Sequence, residues 1–211
     1  MANAVEICNL ALSFLGDSGT VASINPPEAT TQARLCAINY PIAKKTMLEV
    51  HDWSFATRRE FLPRLDDEDG SGWRGVYQLP ADALRVIRVK PYGTENPIVR
   101  DGIQYPFFEM NPTDARFEVI GRKLYTNADN PIVYYVTSEV SEGLFTPSFV
   151  TAFAYCLAQQ MAGAKIKGEE GQKLSQLLSK QFAYTLSIAK SRDANQQMKR
   201  FEFIPKWLAV R

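Results

Sequence analysis

The sequence predicts an α+β fold in which N- and C-terminal helices form an antiparallel bundle, a small antiparallel β domain is inserted between them, and an extended tail ends the chain. Three observations predict it. Apolar residues recur at spacings of three and four near the start of the chain and again after Thr146, the period of a buried helical stripe. The segment between is rich in Val, Ile and Tyr and is cut by Pro, Gly, Asn and Asp, the pattern of short strands and turns. The last residues, FEFIPKWLAVR, crowd aromatic and apolar groups behind the polar stretch SRDANQQMKR. The division that follows is 1–64 and 143–199 for the two parts of the bundle, 65–142 for the β insert and 200–211 for the tail, with each boundary set by a change of period rather than by a linker. A chain of 211 residues buries roughly 70% of its unfolded surface, so its core needs no disulfide or metal staple.

The first helix is expected from Ala2 to Leu15, with Val5, Cys8, Leu12 and Leu15 on its buried stripe and Gly16 ending it. After Pro26 and Pro27, the residues Ala29, Ala33, Cys36, Ala37 and Tyr40, then Met47 and Leu48, predict a second helix from Glu28 to Val50, kinked at Pro41. The run DDEDGSG between Leu65 and Gly75 has too little apolar surface to pack and predicts a mobile loop. The segments VYQLPADALRVIRVKPYG, FEVIGRKLYT and NPIVYYVTSEV predict strands from about Trp73 to Val140. Thr146 as N-cap and Pro147 at the first helical position open a third helix, with Phe149, Ala152, Phe153, Cys156, Leu157, Gln160, Met161 and Ala164 on its stripe. Gly168 and Gly171 break the chain. Leu174, Leu177, Leu178, Phe182, Leu186 and Ala189 then predict a fourth helix that fades into SRDANQQMKR.

Lys and Arg number 24 against 23 for Asp and Glu, so the long-range field that draws a whole molecule onto DNA or anionic lipid is missing and only local patches are left to bind polyanions. No apolar stretch approaches the ~20 residues that span a bilayer, and no basic segment followed by an apolar run opens the sequence, which points to a cytoplasmic product with no membrane contact. Cys8, Cys36 and Cys156 are odd in number, far apart and set among Ala and Leu, as reduced core thiols are.

Candidate chemistry is sparse. Gly16-Asp17-Ser18-Gly19 has the outline of a serine-hydrolase signature but follows a helix, whereas a nucleophile elbow joins a strand to a helix. His51 is the sole histidine and therefore the sole candidate imidazole base; beside Asp52 and Trp53 at a helix end it reads as a packing or capping residue. Asp66, Asp67, Glu68 and Asp69 fit the calcium-loop pattern poorly and read as a solvated acidic loop. Glu109, Asp114 and Glu118 are the nearest thing to a glycosidase pair, without a distinguishing spacing. No catalytic residue, metal site or cofactor is expected. Lys165, Lys167, Lys173, Lys180, Lys190, Arg192, Lys199 and Arg200 form either a solvated face or, at Lys173, Lys180 and Lys190, the lining of a channel where sequence-blind phosphate contacts are weak enough for DNA to pass.

Five segments, ALSFLG, EATTQARLC, LEVHDWSFATRREFL, VYQLPADALRVIRV and FTPSFVTAFAYCLAQQMA, together resemble in order and spacing the tail tubular protein A family, the adaptor or gatekeeper subunits of short-tailed bacteriophages. The resemblance implies a virion protein of the neck: a ring of twelve copies between portal and tail nozzle that closes the capsid after packaging and conducts DNA during ejection. It implies no chemistry. Within it His51, Trp53 and Phe55 are scaffold residues, a helix end pinned by a large aromatic. Phe201, Phe203, Ile204, Trp207, Leu208 and Val210 of the tail are assigned to portal binding, because burying each such group contributes about 1.5 to 3 kcal/mol; folding back onto the chain's own bundle is the other reading of the same residues. A virion-associated cell-wall or polysaccharide hydrolase is the alternative function. A sequence-specific DNA binder is disfavoured by the near-zero net charge and by the lack of a recognition module.

Overall fold

The computed structural model describes residues 3–65, 72–91, 99–100, 103–104, 114–166 and 168–196. It is a mixed α+β structure. The chain opens with α1 (Ala4–Phe14) and α2 (Thr31–Glu49), continues through strands β1 (Thr57–Phe61), β2 (Arg64–Leu65), β3 (Gly75–Gln78), β4 (Ala83–Lys90), β5 (Val99–Arg100), β6 (Ile103–Gln104), β7 (Phe117–Ile120), β8 (Lys123–Thr126) and β9 (Ile132–Thr137), and ends with α3 (Pro147–Lys165) and α4 (Glu169–Ala194). All strand pairs are antiparallel: β1-β9-β4 form one sheet, β2-β3-β8-β7 a second, and β5-β6 a two-stranded ribbon.

Local chemistry fixes the helix starts. Asn3 caps α1 through a capping box, its side-chain oxygen accepting from the Glu6 N–H at 2.8 Å while the Glu6 carboxylate accepts from the Asn3 N–H at 3.1 Å. Thr30 accepts from the Ala33 N–H at 3.2 Å and Thr146 from the Phe149 N–H at 3.3 Å, the latter with Pro147 at the first helical position as the sequence indicates. Gly16, at φ +72°, lets the chain leave α1 in the left-handed region.

The helices share one apolar core. α3 lies at its centre, against α1, α2 and α4, and buries Phe149, Ala152, Phe153, Ala154, Leu157, Ala158 and Met161 completely. Ile7, Cys8, Ala11 and Leu12 come from α1, and Ala33, Cys36, Ala43, Met47 and Leu48 from α2. A smaller core of Leu62, Tyr77, Leu79, Val89, Leu124 and Val133 lies within the sheets. The strand β9 serves both, since Val136 packs with the helices and Val133 with the second core.

Several expectations shift. α1 buries Ile7 and Ala11 together with Cys8, Leu12 and Leu15, while Val5 is only half-buried, because neighbours on both sides widen the stripe. α2 starts at Thr31, not Glu28, since Thr30 is its cap; Ala29 is exposed outside it, and the helix continues through Pro41, which lies on an exposed side. Gln160 and Ala164 point to solvent, and α3 instead buries Ala154 and Ala158, small residues that admit close neighbours. Leu177 is exposed. Gly171 does not break the chain; it lies inside α4, where a Cβ would meet the Ile166 carbonyl oxygen at 2.0 Å. α4 ends at Ala194, within the polar stretch SRDANQQMKR into which it was expected to fade. Strand structure begins at Thr57, ahead of the predicted start near Trp73, because β1 pairs with β9 at the far end of the β segment. That pairing brings the entry and exit of the β segment together, so the helices before and after it meet. The predicted acidic loop Asp66–Asp69 and the tail 200–211 lie outside the described residues.

Candidate functional site at the helix and sheet junction

The segment His51-Asp52-Trp53-Ser54-Phe55 turns the chain from α2 into β1, and most of the chemistry-bearing side chains that the structure brings together lie there. Trp53 is fully buried, with its indole N–H donating to the Met47 carbonyl at 2.7 Å, so the helix end is closed by a ring whose one polar atom is satisfied. Phe149 meets Trp53 edge-on at 4.8 Å between ring centres and Phe55 at 5.0 Å; Phe145 and Phe153 extend the cluster. The edge-to-face geometry suits the ring quadrupoles and fixes the corner against α3.

Asp193 completes the junction from the last turn of α4. Its side chain is 2% exposed. It accepts from the Ser54 hydroxyl at 2.6 Å and from the Ser54 N–H at 3.1 Å, and Nε2 of His51 lies 3.2 Å from its other oxygen. The imidazole also stands edge-on to Trp53 at 4.8 Å. Serine, histidine and aspartate are thus neighbours, but the hydroxyl donates to the carboxylate rather than to the imidazole. The nucleophile-to-base bond of acyl transfer is not made in this trio, and its effect is to clamp α4 to the corner.

Two further ties hold the fold, one beside the junction and one at the opposite ends of α2 and α3. Lys44 of α2 reaches Glu142 at 2.7 Å and the Val140 carbonyl at 2.8 Å, and the Tyr40 hydroxyl donates to the same Glu142 oxygen at 3.2 Å. Burial acts to raise the Glu142 carboxyl, yet the Lys44 ammonium outweighs it and holds it below its ordinary value; burial first, then Glu142, pushes the Tyr40 phenol upward. In the Gly16-Asp17-Ser18-Gly19 turn, Asp17 accepts from Lys165 at 2.5 Å, Gly19 N–H at 2.9 Å and Gln32 at 3.3 Å, joining the ends of α1 and α3 to the start of α2. Lys165, then the Gly19 N–H, holds the Asp17 carboxyl below its ordinary value. Ser18 itself is exposed.

The lysines proposed for a channel divide. Lys173 and Lys180 lie seven residues apart on one face of α4, whereas Lys190 lies roughly 100° around the helix from Lys173. Lys173 pairs with Glu169 at 2.7 Å. Arg192 donates to the Ser148 hydroxyl and stays exposed, whereas Lys165 is paired with Asp17. Lys167, Lys199, Arg200 and the tail residues Phe201, Phe203, Ile204, Trp207, Leu208 and Val210 lie outside the described residues, as does Glu109; Glu118 accepts from the Trp73 indole at 3.2 Å, and Asp114 is exposed. Cys8 and Cys36 are buried side by side and Cys156 is buried apart from them; hydrogen bonding to Cys36 and burial push the Cys8 thiol upward, and burial raises Cys156 to about 11. Among the described residues no cluster of His, Cys, Asp and Glu is placed to hold a metal ion, and no helix is long and apolar enough to cross a membrane.

Sequence reading missed Asp193 and Ser54. The available signal was electrostatic: an acid in the last turn of a helix opposes the macrodipole, and its presence there calls for a partner. No family model matches the chain, and no characterised protein matches its sequence.

Proposed function

We propose that the chain is a structural adaptor of a phage neck, of the tail tubular protein A kind, that forms a ring of twelve copies between portal and tail nozzle, closes the capsid after packaging and conducts DNA during ejection. In this reading α1 to α4 form the bundle, the sheets form the inserted domain, and the tail 200–211 docks on the portal. One observation carries it: each resembling segment supplies a part that holds the fold together. ALSFLG ends α1 and opens the Asp17 turn, EATTQARLC contains the Thr30 cap, LEVHDWSFATRREFL forms the Trp53 corner and β1, VYQLPADALRVIRV forms β3 and β4, and FTPSFVTAFAYCLAQQMA opens and fills α3. Residues that build a scaffold suit a subunit whose work is assembly. A ring around a channel also requires heterologous contacts, with different faces of each copy meeting its two neighbours. Negative-stain imaging of the protein with and without its portal tests the proposal, with a ring seated on the portal as the expected result. Release of soluble fragments from peptidoglycan or polysaccharide by the purified chain would establish the hydrolase instead.

A further inference from the structure

The sheet β1-β9-β4 carries a cationic face. Register places Arg59, Tyr134 and Arg88 opposite one another across three strands, and Phe61, Ile132 and Lys90 in the next row on the same face. The strands stand about 4.8 Å apart and the rows about 7 Å, so the three cations span an area about 10 Å wide. Arg59 and Arg88 are exposed and Lys90 is half-buried. The Arg88 guanidinium lies 4.4 Å from the centre of the Tyr134 ring and the Lys90 ammonium 5.9 Å from it. No carboxylate of a described residue pairs with any of the three, whereas Arg58 and Arg85 on the same two strands are paired with Asp82 and Asp52.

An irregularity in β4 creates the patch. Val86 opposes Tyr135, and a regular antiparallel register would then set Ile87 against Tyr134 and turn Arg88 toward the face that carries Val133 of the inner core. The shift between Val86 and Arg88 puts Arg88 opposite Tyr134 instead, keeps Val89 buried against Val133, and leaves Ile87 packed against the helical core. Bulges re-aim side chains in this way. The result is a set of cations with no carboxylate partner among the described residues, two of them within about 6 Å of the centre of one aromatic ring.

We infer that this face binds the phosphodiester backbone of a nucleic acid without reading its sequence. The Arg88 guanidinium, already ordered on an aromatic ring, loses little freedom on meeting phosphate. Contacts of such cations go to phosphate oxygens and carry no sequence information. The inference stands on the sheet alone and not on ring assembly, so its failure would leave the adaptor reading untouched.

The test is fluorescence anisotropy with short fluorescein-labelled duplex and single-stranded DNA across a range of salt. Arg59→Gln, Arg88→Gln and Lys90→Gln are combined in one variant and Lys173→Gln, Lys180→Gln and Lys190→Gln in a second, so that both lose the same charge. Counterion release predicts that the slope of log affinity against log salt on duplex falls by about 2 to 3 in the sheet variant, with a melting temperature like the parent's. The helix variant should lose less. Equal losses in the two variants would reduce the effect to net charge and overturn the inference, as would DNA binding unchanged in the sheet variant. The same holds if sedimentation shows that the sheet variant abolishes self-association while DNA binding stays intact, since the face would then be a contact between copies of the chain.

Discussion

Replacing Asp193 by Ala tests the clamp between α4 and the corner. The carboxylate is almost wholly buried and receives the Ser54 hydroxyl, the Ser54 N–H and the His51 imidazole. Hydrogen bonds to a charged group contribute about 1.5 kcal/mol each at the low end, roughly 4.5 kcal/mol for three. Removing an anion from the negative end of a helix returns about 0.5 kcal/mol. Water entering the vacated space re-satisfies part of Ser54, so the net loss expected is about 2 to 4 kcal/mol, a fall in melting temperature of roughly 4 to 16 °C for a chain of this size. Urea and thermal unfolding followed by circular dichroism give the value. His51→Ala should cost less, about 1 kcal/mol, and the double variant should lose less than the sum, with a coupling above about 0.5 kcal/mol because the two side chains share a bond. A loss below about 1 kcal/mol for Asp193→Ala, or strict additivity with His51→Ala, would refute the clamp.

Other outcomes follow from the same packing. Gly171→Ala should destabilise by about 1 to 3 kcal/mol in urea unfolding despite a gain in helix propensity of about 1 kcal/mol, because the new methyl meets the Ile166 carbonyl. Trp53→Phe should keep the ring contacts and lose about 1 to 3 kcal/mol by leaving the Met47 carbonyl unpaired, read from the denaturation midpoint. Stability should fall as pH rises from about 9 toward 12, since Cys156 is raised to about 11 and Tyr135 to about 12 in the folded state, and each contribution is fully present below the group's ordinary value and is lost as pH rises through the raised one; thermal melts across alkaline pH measure it. On the acid side Asp17 and Glu142 are lowered, so their contribution is present above the ordinary carboxylate range and disappears as pH falls through and below it. Truncation after Arg200 should leave the melting temperature unchanged and abolish portal binding if the tail docks, whereas a clearly lowered melting temperature would show that it packs on its own chain.

The helices were legible because their signals are local. Thr146-Pro147 and the Phe149 to Met161 stripe identify α3 without reference to the rest of the chain. The strand β1 was not legible, since TRREF carries polar residues on both faces and becomes a strand only by pairing with β9, some seventy-five residues away in sequence for Arg58 and Tyr135. The stripe on α4 was misplaced at Leu177 because α4 touches the core along one side only, through Leu178 and Ala189. The clamp was half legible: His51 and Trp53 stand out by type, but Asp193 is one acid among many and its partner lies 142 residues earlier. The cationic face was hidden as well, because a one-residue irregularity in β4 decides which way Arg88 points.

The adaptor assignment is tested most directly by the native mass of the portal complex. The proposed heterologous ring predicts twelve copies of this chain on each portal and none bound when the portal's tail-side face is blocked. A closed dimer with no larger species, or no complex with the portal at all, would contradict it.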